Sequence, residues 1–226
     1  GYLSQRFALY SDLTVGENID FTARLFGVGR DEYGPLLAEL LAITRLAPFA
    51  DRPAGKLSGG MKQKLALICC LIHRPEVLLL DEPTTGVDPA SRRYFCRLPE
   101  QLPAQGVTVV VSTPYMDEAE RCDRLALLHS GRVMAAGSVD EIRSLFTGSL
   151  FSITAGPQAV AREILAGIPA VSAAVVFGDR LHVTATAGTT LEAVLEPLED
   201  AGVSIEHAEQ IDAGLEDVFQ FPEAAS

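Results

Sequence analysis

The sequence predicts an α/β protein with a parallel β-sheet and a helical subdomain, followed by a smaller α+β domain. Two observations support this fold class. Apolar runs at 77–80 and 107–112 alternate with helical segments, as the buried strands of a parallel sheet do. From residue 150 onward the predicted order becomes β-α-β-β-α-β, which is the split βαβ, or ferredoxin-like, arrangement. A chain of 226 residues is long enough for both domains.

Charge divides the chain at the same place. Residues 1–147 carry 16 Lys or Arg and 18 Asp or Glu, whereas residues 148–226 carry 2 and 12. The second part is therefore strongly acidic and is repelled by nucleic acid, and no basic cluster elsewhere would compensate. We expect domains at 1–147 and 148–226, and no nucleic-acid partner.

Composition also limits the cellular setting. The cysteines Cys69, Cys70, Cys96 and Cys122 have neither metal-site nor disulfide-framework spacing, so reduced thiols are expected, with the adjacent pair packed as small apolar residues. No apolar run reaches the roughly 18 residues of a membrane span. The chain opens on Gly1 without a signal-peptide pattern and is expected to be an excised fragment, with any membrane role peripheral.

The first 75 residues are predicted to be mostly helical after a strand tail at 1–5. Thr14 is a plausible N-cap, and Glu17 lies in the first turn that would follow it. Three helices and one short helix are expected here: Val15 to about Phe26, Asp31 to Ile43, Arg45 to Phe49, and the helix that opens at Ser58-Gly59-Gly60 and runs to about His73.

Strands and helices then alternate. A helix from Pro89 to Leu102 contains Pro99, which must end or kink it. The other expected elements are strands at 77–80, 107–112, 124–128 and 132–136 and a helix at 116–122. The acidic part is expected to have strands at 150–154, 171–177, 181–186 and 204–210, with helices at 157–166 and 190–201.

Two adjacent carboxylates follow the first buried strand. Asp81 and Glu82 are placed at the carboxyl end of this strand, where open α/β sheets bind ligands. There Asp81 could hold Mg²⁺ through water, and Glu82 could orient or deprotonate an attacking water. Taken alone, this pair is equally compatible with a chance Asp-Glu at a strand end.

A second candidate site is the turn Ser58-Gly59-Gly60. Free backbone N–H groups and the positive end of the helix dipole form an anion site, and glycine lets a phosphate approach the backbone. A bare Ser-Gly-Gly is more often an ordinary helix start. Its combination with the downstream carboxylates favours the functional interpretation.

Together these motifs resemble the ATP-binding cassette (ABC) ATPases. Leu57-Ser58-Gly59-Gly60-Met61 resembles their signature motif, and Val77 to Pro83 their Walker B motif. Thr84-Thr85-Gly86-Val87-Asp88-Pro89 resembles the D-loop, and Gln5 the Q-loop glutamine. The resemblance implies a P-loop NTPase-like (RecA-like) sheet and the cofactors ATP and Mg²⁺.

The resemblance also implies roles for single residues. Glu82 and Gln5 would be catalytic, and Gln5 would join Asp81 as a metal ligand. The surface formed by Ser58, Gly59 and Gly60 would reach across a dimer interface to the γ-phosphate held by the partner. Asp88 would communicate between paired subunits, and it is also an ordinary helix N-cap before Pro89.

Two departures from the family pattern are evident. The P-loop GxxxxGK[ST] is absent, since the only Gly-Lys is Gly55-Lys56, so the chain covers the family from the Q-loop onward and is expected to bind ATP weakly or not at all. Pro114 occupies the position of the H-loop histidine, and it has no side-chain donor and no backbone N–H.

Three functional interpretations follow. The first is the ATPase subunit of a membrane exporter of the multidrug type, favoured by Thr-Thr-Gly-Val-Asp-Pro and by the tail 215–219, which resembles these subunits' accessory C-terminal domain. Its partners would be a second ATPase domain, as a homodimer or tandem half, and a permease that holds it on the cytoplasmic face of the membrane. The second is a degenerate half that completes a partner's ATP site. The third is a soluble, non-transport ABC ATPase.

Overall fold

The computed structural model describes residues 1–6, 8–97, 102 and 106–220, without the side chains of residues 90, 91, 94 and 220. It divides into two compact units, Gly1–Cys122 and Asp123–Ser226. The boundary between the units, after Cys122, lies earlier in the chain than the boundary between 147 and 148 expected from charge. The reason is that the residues just after Cys122 form a hairpin and a helix that contact elements of the second unit. The domain boundary expected from charge stays a prediction.

A three-stranded parallel sheet organises the first unit. Its strands are β1 (Tyr2–Leu3), β2 (Val77–Asp81) and β3 (Thr108–Ser112), in the order β1-β2-β3. Leu79 pairs with Tyr2 on one side and with Val110 on the other. The carboxyl ends of all three strands therefore meet at one edge, and this edge presents Asp81, Ser112 and the residues that follow Leu3.

Helices fill the rest of this unit. They are α1 (Val15–Leu25), α2 (Arg30–Thr44), α3 (Gly59–Leu71), α4 (Pro89–Phe95) and α5 (Met116–Ala119), with 3-10 turns at Ala47–Phe49 and Ala54–Lys56. Thr14 is the N-cap of α1, as predicted, and it forms a capping box with Glu17. The Thr14 hydroxyl accepts from the Glu17 N–H, and the Glu17 carboxylate accepts from the Thr14 N–H. These two bonds to Thr14 lower the pKa of Glu17.

Several predicted helices are shorter in the structure. The segment expected as a helix at 45–49 forms only a 3-10 turn, and the helix expected at 116–122 ends at Ala119. The helix from Pro89 is described as far as Phe95, and the kink predicted at Pro99 lies outside the described residues. The short α5 matters for the site, because it starts only four residues after β3 ends.

The core of the first unit lies between the sheet and the helices. Cys69 and Cys70 are buried in it, as predicted, and burial raises the pKa of Cys69 to about 12 and that of Cys70 to about 11. The opposite face of the sheet is open: Tyr2, Val77, Leu79 and Val110 are exposed, while their neighbours Leu78 and Leu80 are buried. One face of this sheet is therefore covered by the described residues, and the other is apolar and accessible.

The second unit contains the predicted ferredoxin-like arrangement. Strands β6 (Ser149–Gly156), β7 (Val171–Phe177), β8 (Arg180–Ala185) and β9 (Ser204–Ile211) form an antiparallel sheet in the order β7-β8-β6-β9. The crossover helices α7 (Gln158–Ala166) and α8 (Leu191–Asp200) pack with this sheet around a core of its own. Hairpin β4 (Leu125–His129) and β5 (Arg132–Gly137) and helix α6 (Val139–Arg143) precede it.

Helix α9 (Leu215–Gln220) closes the described chain. Leu215 and Val218 are buried, and the Asp217 carboxylate bonds His182 Nδ1 of β8 at 2.8 Å and accepts the Gly214 N–H at 2.9 Å. This carboxylate therefore fixes the start of α9 to β8. Among the described helices, none has the length and apolar character required to cross a membrane.

Candidate functional site

Asp81 ends β2 and is held by the two neighbouring strands. The Ser112 hydroxyl, at the end of β3, donates to Asp81 Oδ1 at 2.7 Å. The phenol of Tyr2, in β1, donates to Asp81 Oδ2 at 3.3 Å, and the pKa of this phenol is raised by desolvation and by the nearby carboxylate. Parallel pairing on both sides thus fixes the carboxylate at the edge where α/β sheets place ligands.

Glu82 follows in a left-handed backbone conformation, with φ of +45°. This region is rarely populated by residues other than glycine and is often found at functional sites. Its N–H donates to both the carbonyl and the hydroxyl oxygen of Ser112, at 3.1 and 3.0 Å. These bonds hold the backbone turn that directs the Glu82 side chain away from the path of β2.

The Glu82 carboxylate is positioned by two donors. Gln5 Nε2 donates to Oε2 at 2.7 Å, and the Thr85 hydroxyl donates to the same oxygen at 3.0 Å. Within the described residues no donor reaches Oε1, so this oxygen is available to accept from a water. The structure therefore brings Gln5 to Glu82, which lies 77 positions away in the sequence and directly follows Asp81.

A further glutamine, not evident from the sequence motifs, fixes Gln5. Gln63, a mostly buried residue of α3, donates through Nε2 to the Gln5 backbone oxygen at 3.4 Å. The helix that starts at the Ser58 turn is thereby connected to the loop after β1. A polar residue on the otherwise apolar buried side of α3 is the sequence signal that could have indicated this contact.

The donor set at this edge fits a magnesium ion. Asp81 supplies a carboxylate, and Gln5, whose amide nitrogen is committed to Glu82, has its amide oxygen left as a second ligand. Mg²⁺ usually takes one or two protein carboxylates and keeps several waters or substrate phosphates. The described residues contain no cluster of three or more His, Cys, Asp or Glu able to hold a metal by themselves.

The turn Ser58-Gly59-Gly60 lies at the N-terminus of α3, as predicted. Ser58 is the N-cap, and its hydroxyl accepts the Met61 N–H at 3.3 Å. Ser58 and Gly59 are exposed, and a Cβ on Gly59 would lie 3.5 Å from the Gly86 carbonyl oxygen. No described hydrogen bond joins this turn to Asp81 or Glu82, so the structure presents two separate groups of candidate residues.

The positions of the other candidate residues are also clear. Asp88 is exposed just before α4, and its carbonyl oxygen accepts the Arg92 N–H at 2.8 Å. Pro114 is exposed two residues after β3. Gly55-Lys56 forms part of a 3-10 turn in which the Gly55 N–H already donates to Ser11, so it is not a phosphate loop.

One interpretation from the sequence was wrong. The spacing of the charged residues predicts a solvated helix face with i,i+4 pairing, formed by Asp117, Glu118, Glu120, Arg121 and Arg124. In the structure Glu118 is only 6% exposed. Its partners are Thr84, Arg92 and Thr113, which come from other parts of the unit. Tertiary contacts of this kind leave no trace in the spacing of residues on one short helix.

Comparison with known proteins agrees with these motifs. Residues 1–85 match the model of the ABC transporter family, and residues 137–220 match the C-terminal domain of ATP-binding proteins like DrrA1-3. A solved structure described as an ATP-binding subunit of an ABC transporter superposes with a TM-score of 0.59 at 34% identity, covering 64% of this chain and 61% of that one.

Curated relatives carry similar names. The chain is 44% identical over 165 residues to the probable multidrug ABC transporter ATP-binding protein YbhF of Escherichia coli (strain K12), covering 73% of this chain and 28% of that protein. It is 36% identical over 149 residues to the linearmycin resistance ATP-binding protein LnrL of Bacillus subtilis (strain 168), covering 66% and 48%. The chain thus spans less than half of either relative. Residues 1–85 therefore form part of an ABC transporter ATP-binding domain, and residues 137–220 form a C-terminal domain like that of DrrA1-3 ATP-binding proteins.

Proposed function

We propose that this chain is part of an ATP-hydrolysing subunit that powers a membrane exporter through ATP-driven closure of a dimer. The observation that carries the proposal is the contact between Gln5 and Glu82 beside Asp81 at the carboxyl edge of the parallel sheet. A relative named for Nod factor export supports the export direction, and others are named for multidrug transport and linearmycin resistance.

The residues at this edge have separate parts in the proposed reaction. Glu82 would orient the attacking water through Oε1 and accept its proton, while Gln5 and Thr85 hold Oε2. Asp81 and Gln5 would hold Mg²⁺, which when bound neutralises charge developing on the phosphates. Ser112 and Tyr2 keep the Asp81 carboxylate in place.

The second group of candidate residues would act at the ATP site of a partner domain. The Ser58-Gly59-Gly60 turn lies at the N-terminus of a 13-residue helix, with Ser58 and Gly59 exposed and Gly60 buried, and the backbone N–H groups there attract a phosphate. We propose that it completes the ATP site of a second ATPase domain and that exposed Asp88 lies at the same interface. Since Gly59 lies next to Gly86, these two segments can be presented together.

A permease is the other proposed partner. Several large apolar residues of α1, of α2 and of the segments flanking α1 are exposed: Tyr10, Phe21, Leu25, Phe26 and Ile43. Exposed apolar side chains clustered in one subdomain are typical of a protein-binding surface. We propose that they receive a helix of a membrane permease, which would hold the protein at the cytoplasmic face of the membrane.

We further propose that this chain alone binds ATP weakly or not at all. The apolar face formed by Tyr2, Val77, Leu79 and Val110 is where upstream strands and a phosphate loop would pack.

The experiment compares this chain with an extended protein that includes the residues encoded upstream of Gly1. Calorimetry is expected to show micromolar Mg-ATP binding by the extended protein alone, and a steady-state assay is expected to show turnover. Micromolar binding by this chain, or an extended protein that neither binds nor hydrolyses ATP, would refute the proposal.

A second candidate function is a degenerate half that completes a partner's site but hydrolyses little ATP itself. Pro114 favours it, because no side-chain donor is available where the family places a histidine that contacts the γ-phosphate. In that case Pro114→His in the extended protein should raise kcat by about a hundredfold, the usual contribution of one such electrostatic contact. If activity is already high and Pro114→His leaves it unchanged, the degenerate function is rejected.

A further inference from the structure

Glu118 is a buried carboxylate on which three segments of the first unit converge. Its Oε1 accepts from the Thr84 hydroxyl at 2.7 Å and from Arg92 Nε at 2.8 Å. Its Oε2 accepts from the Thr113 hydroxyl at 2.7 Å. Thr84 lies two residues after Glu82, Arg92 is in α4, and Thr113 directly follows β3. One side chain therefore connects the segments on both sides of the candidate site.

Further contacts make this cluster rigid. Arg92 Nη2 donates to both carboxylate oxygens of Asp117, at 2.8 and 3.0 Å, and its guanidinium lies 4.1 Å from the ring centroid of Tyr115. The Thr113 hydroxyl also accepts the Tyr115 N–H at 3.1 Å. Since a buried charge is costly unless it is paired and hydrogen-bonded, Glu118 favours the one arrangement that satisfies both of its oxygens.

The cluster extends to Glu82 through the backbone. Thr84 is 3% exposed and is followed by Thr85, whose hydroxyl donates to Glu82 Oε2 at 3.0 Å. Two backbone hydrogen bonds close the turn that follows Glu82. The Thr85 N–H donates to the Glu82 carbonyl oxygen, and the Val87 N–H donates to the Thr84 carbonyl oxygen. Fixing Thr84 therefore fixes the turn that holds the Glu82 carboxylate and leads to Asp88.

We propose that Glu118 is a positioning residue that couples the turn 82–88 to the segment 113–118 around Pro114. Through Thr84 it sets the placement of the Glu82 carboxylate, and through Thr113 it sets the segment after β3. The consequence for catalysis rests on the proposed function, whereas the coupling itself is a property of this chain.

Hydrogen exchange on this chain tests the coupling. Thr84→Val keeps the size of the side chain and removes the hydroxyl, whereas Thr84→Ser keeps the hydroxyl and is the matched control. Thr84→Val is expected to speed exchange about tenfold both at residues 85–87 and at the distant amides of Glu118 and Ala119, with β2 and β3 unchanged. Thr113→Val is expected to have the reciprocal effect. It should speed exchange in the segment 113–118, where it lies, and also at the distant residues 85–87. Acceleration confined to the mutated segment, or equal effects of Val and Ser at 84, would overturn the proposal.

A second readout concerns turnover by the extended protein. Thr84→Val is expected to lower kcat about tenfold with little change in KM for Mg-ATP, and Thr84→Ser to restore kcat, because the hydroxyl positions groups without touching substrate. An unchanged kcat in an active extended protein would contradict the role in positioning. If the protein with native Thr84 shows no turnover, the proposed function fails, and the exchange experiment still decides whether Glu118 couples the two segments.

Discussion

Glu82→Gln in the extended protein is expected to lower kcat for Mg-ATP hydrolysis by about a hundred- to ten-thousandfold, the usual contribution of a positioned general base. The change keeps the size of the side chain and one oxygen that could still accept from Gln5 and Thr85. It removes the carboxylate charge and basicity at the atom that would face the attacking water. Steady-state phosphate release measures kcat, and calorimetry measures whether Mg-ATP still binds.

The matched control is Glu76→Gln, which also removes one negative charge. Glu76 is exposed and directly precedes the first residue of β2, at the end of the strand opposite to Glu82. It is expected to leave kcat within a factor of two, since surface charges far from a site contribute little. Full activity of Glu82→Gln would show that another group activates water. Equal losses in both variants would indicate a general effect of charge rather than a role for one carboxylate.

The carboxylates could be located from the sequence because their position depends on local pattern. An apolar run ending in Asp81-Glu82 predicts a strand of a parallel sheet with acids at its carboxyl end, and β2 has that geometry, although it is buried on one face only. The N-cap at Thr14 and the start of a helix at Ser58-Gly59-Gly60 are likewise local, and both are present. The ferredoxin-like order could be read for the same reason, from strands and helices separated by short turns.

The cluster around Glu118 could not be found in this way. Its partner Thr84 is 34 residues away in sequence, and a four-residue helix is too short for periodicity to show which side is buried. Gln63 and Gln5 are 58 residues apart, and their contact depends on how α3 crosses the end of β1. Long-range polar contacts are fixed by packing, so the sequence identifies the chemical groups of the site but not the groups that position them.

Phe151→Ala is expected to destabilise the second unit by about 3–5 kcal/mol, the usual cost of removing a buried phenylalanine side chain. Phe151 is fully buried in β6, where its neighbours across the sheet are Val183 in β8 and Gln210 in β9. Because a domain of this size is usually stable by only about 5–15 kcal/mol, the loss is a large fraction of the total. Urea unfolding followed by hydrogen exchange at 149–211 measures the change for this unit alone.

Phe177→Ala is the control, since the same atoms are removed from a side chain that is 37% exposed at the end of edge strand β7. Its ring stacks on His182 at a centroid distance of 4.5 Å, so the expected loss is about 1 kcal/mol. A threefold difference between the two variants follows from their burial. Equal losses would mean that β7 contributes as much to the core as β6, and that the sheet is covered on the side where Phe177 is exposed. A second domain or subunit packed on that edge would then be required to explain the result.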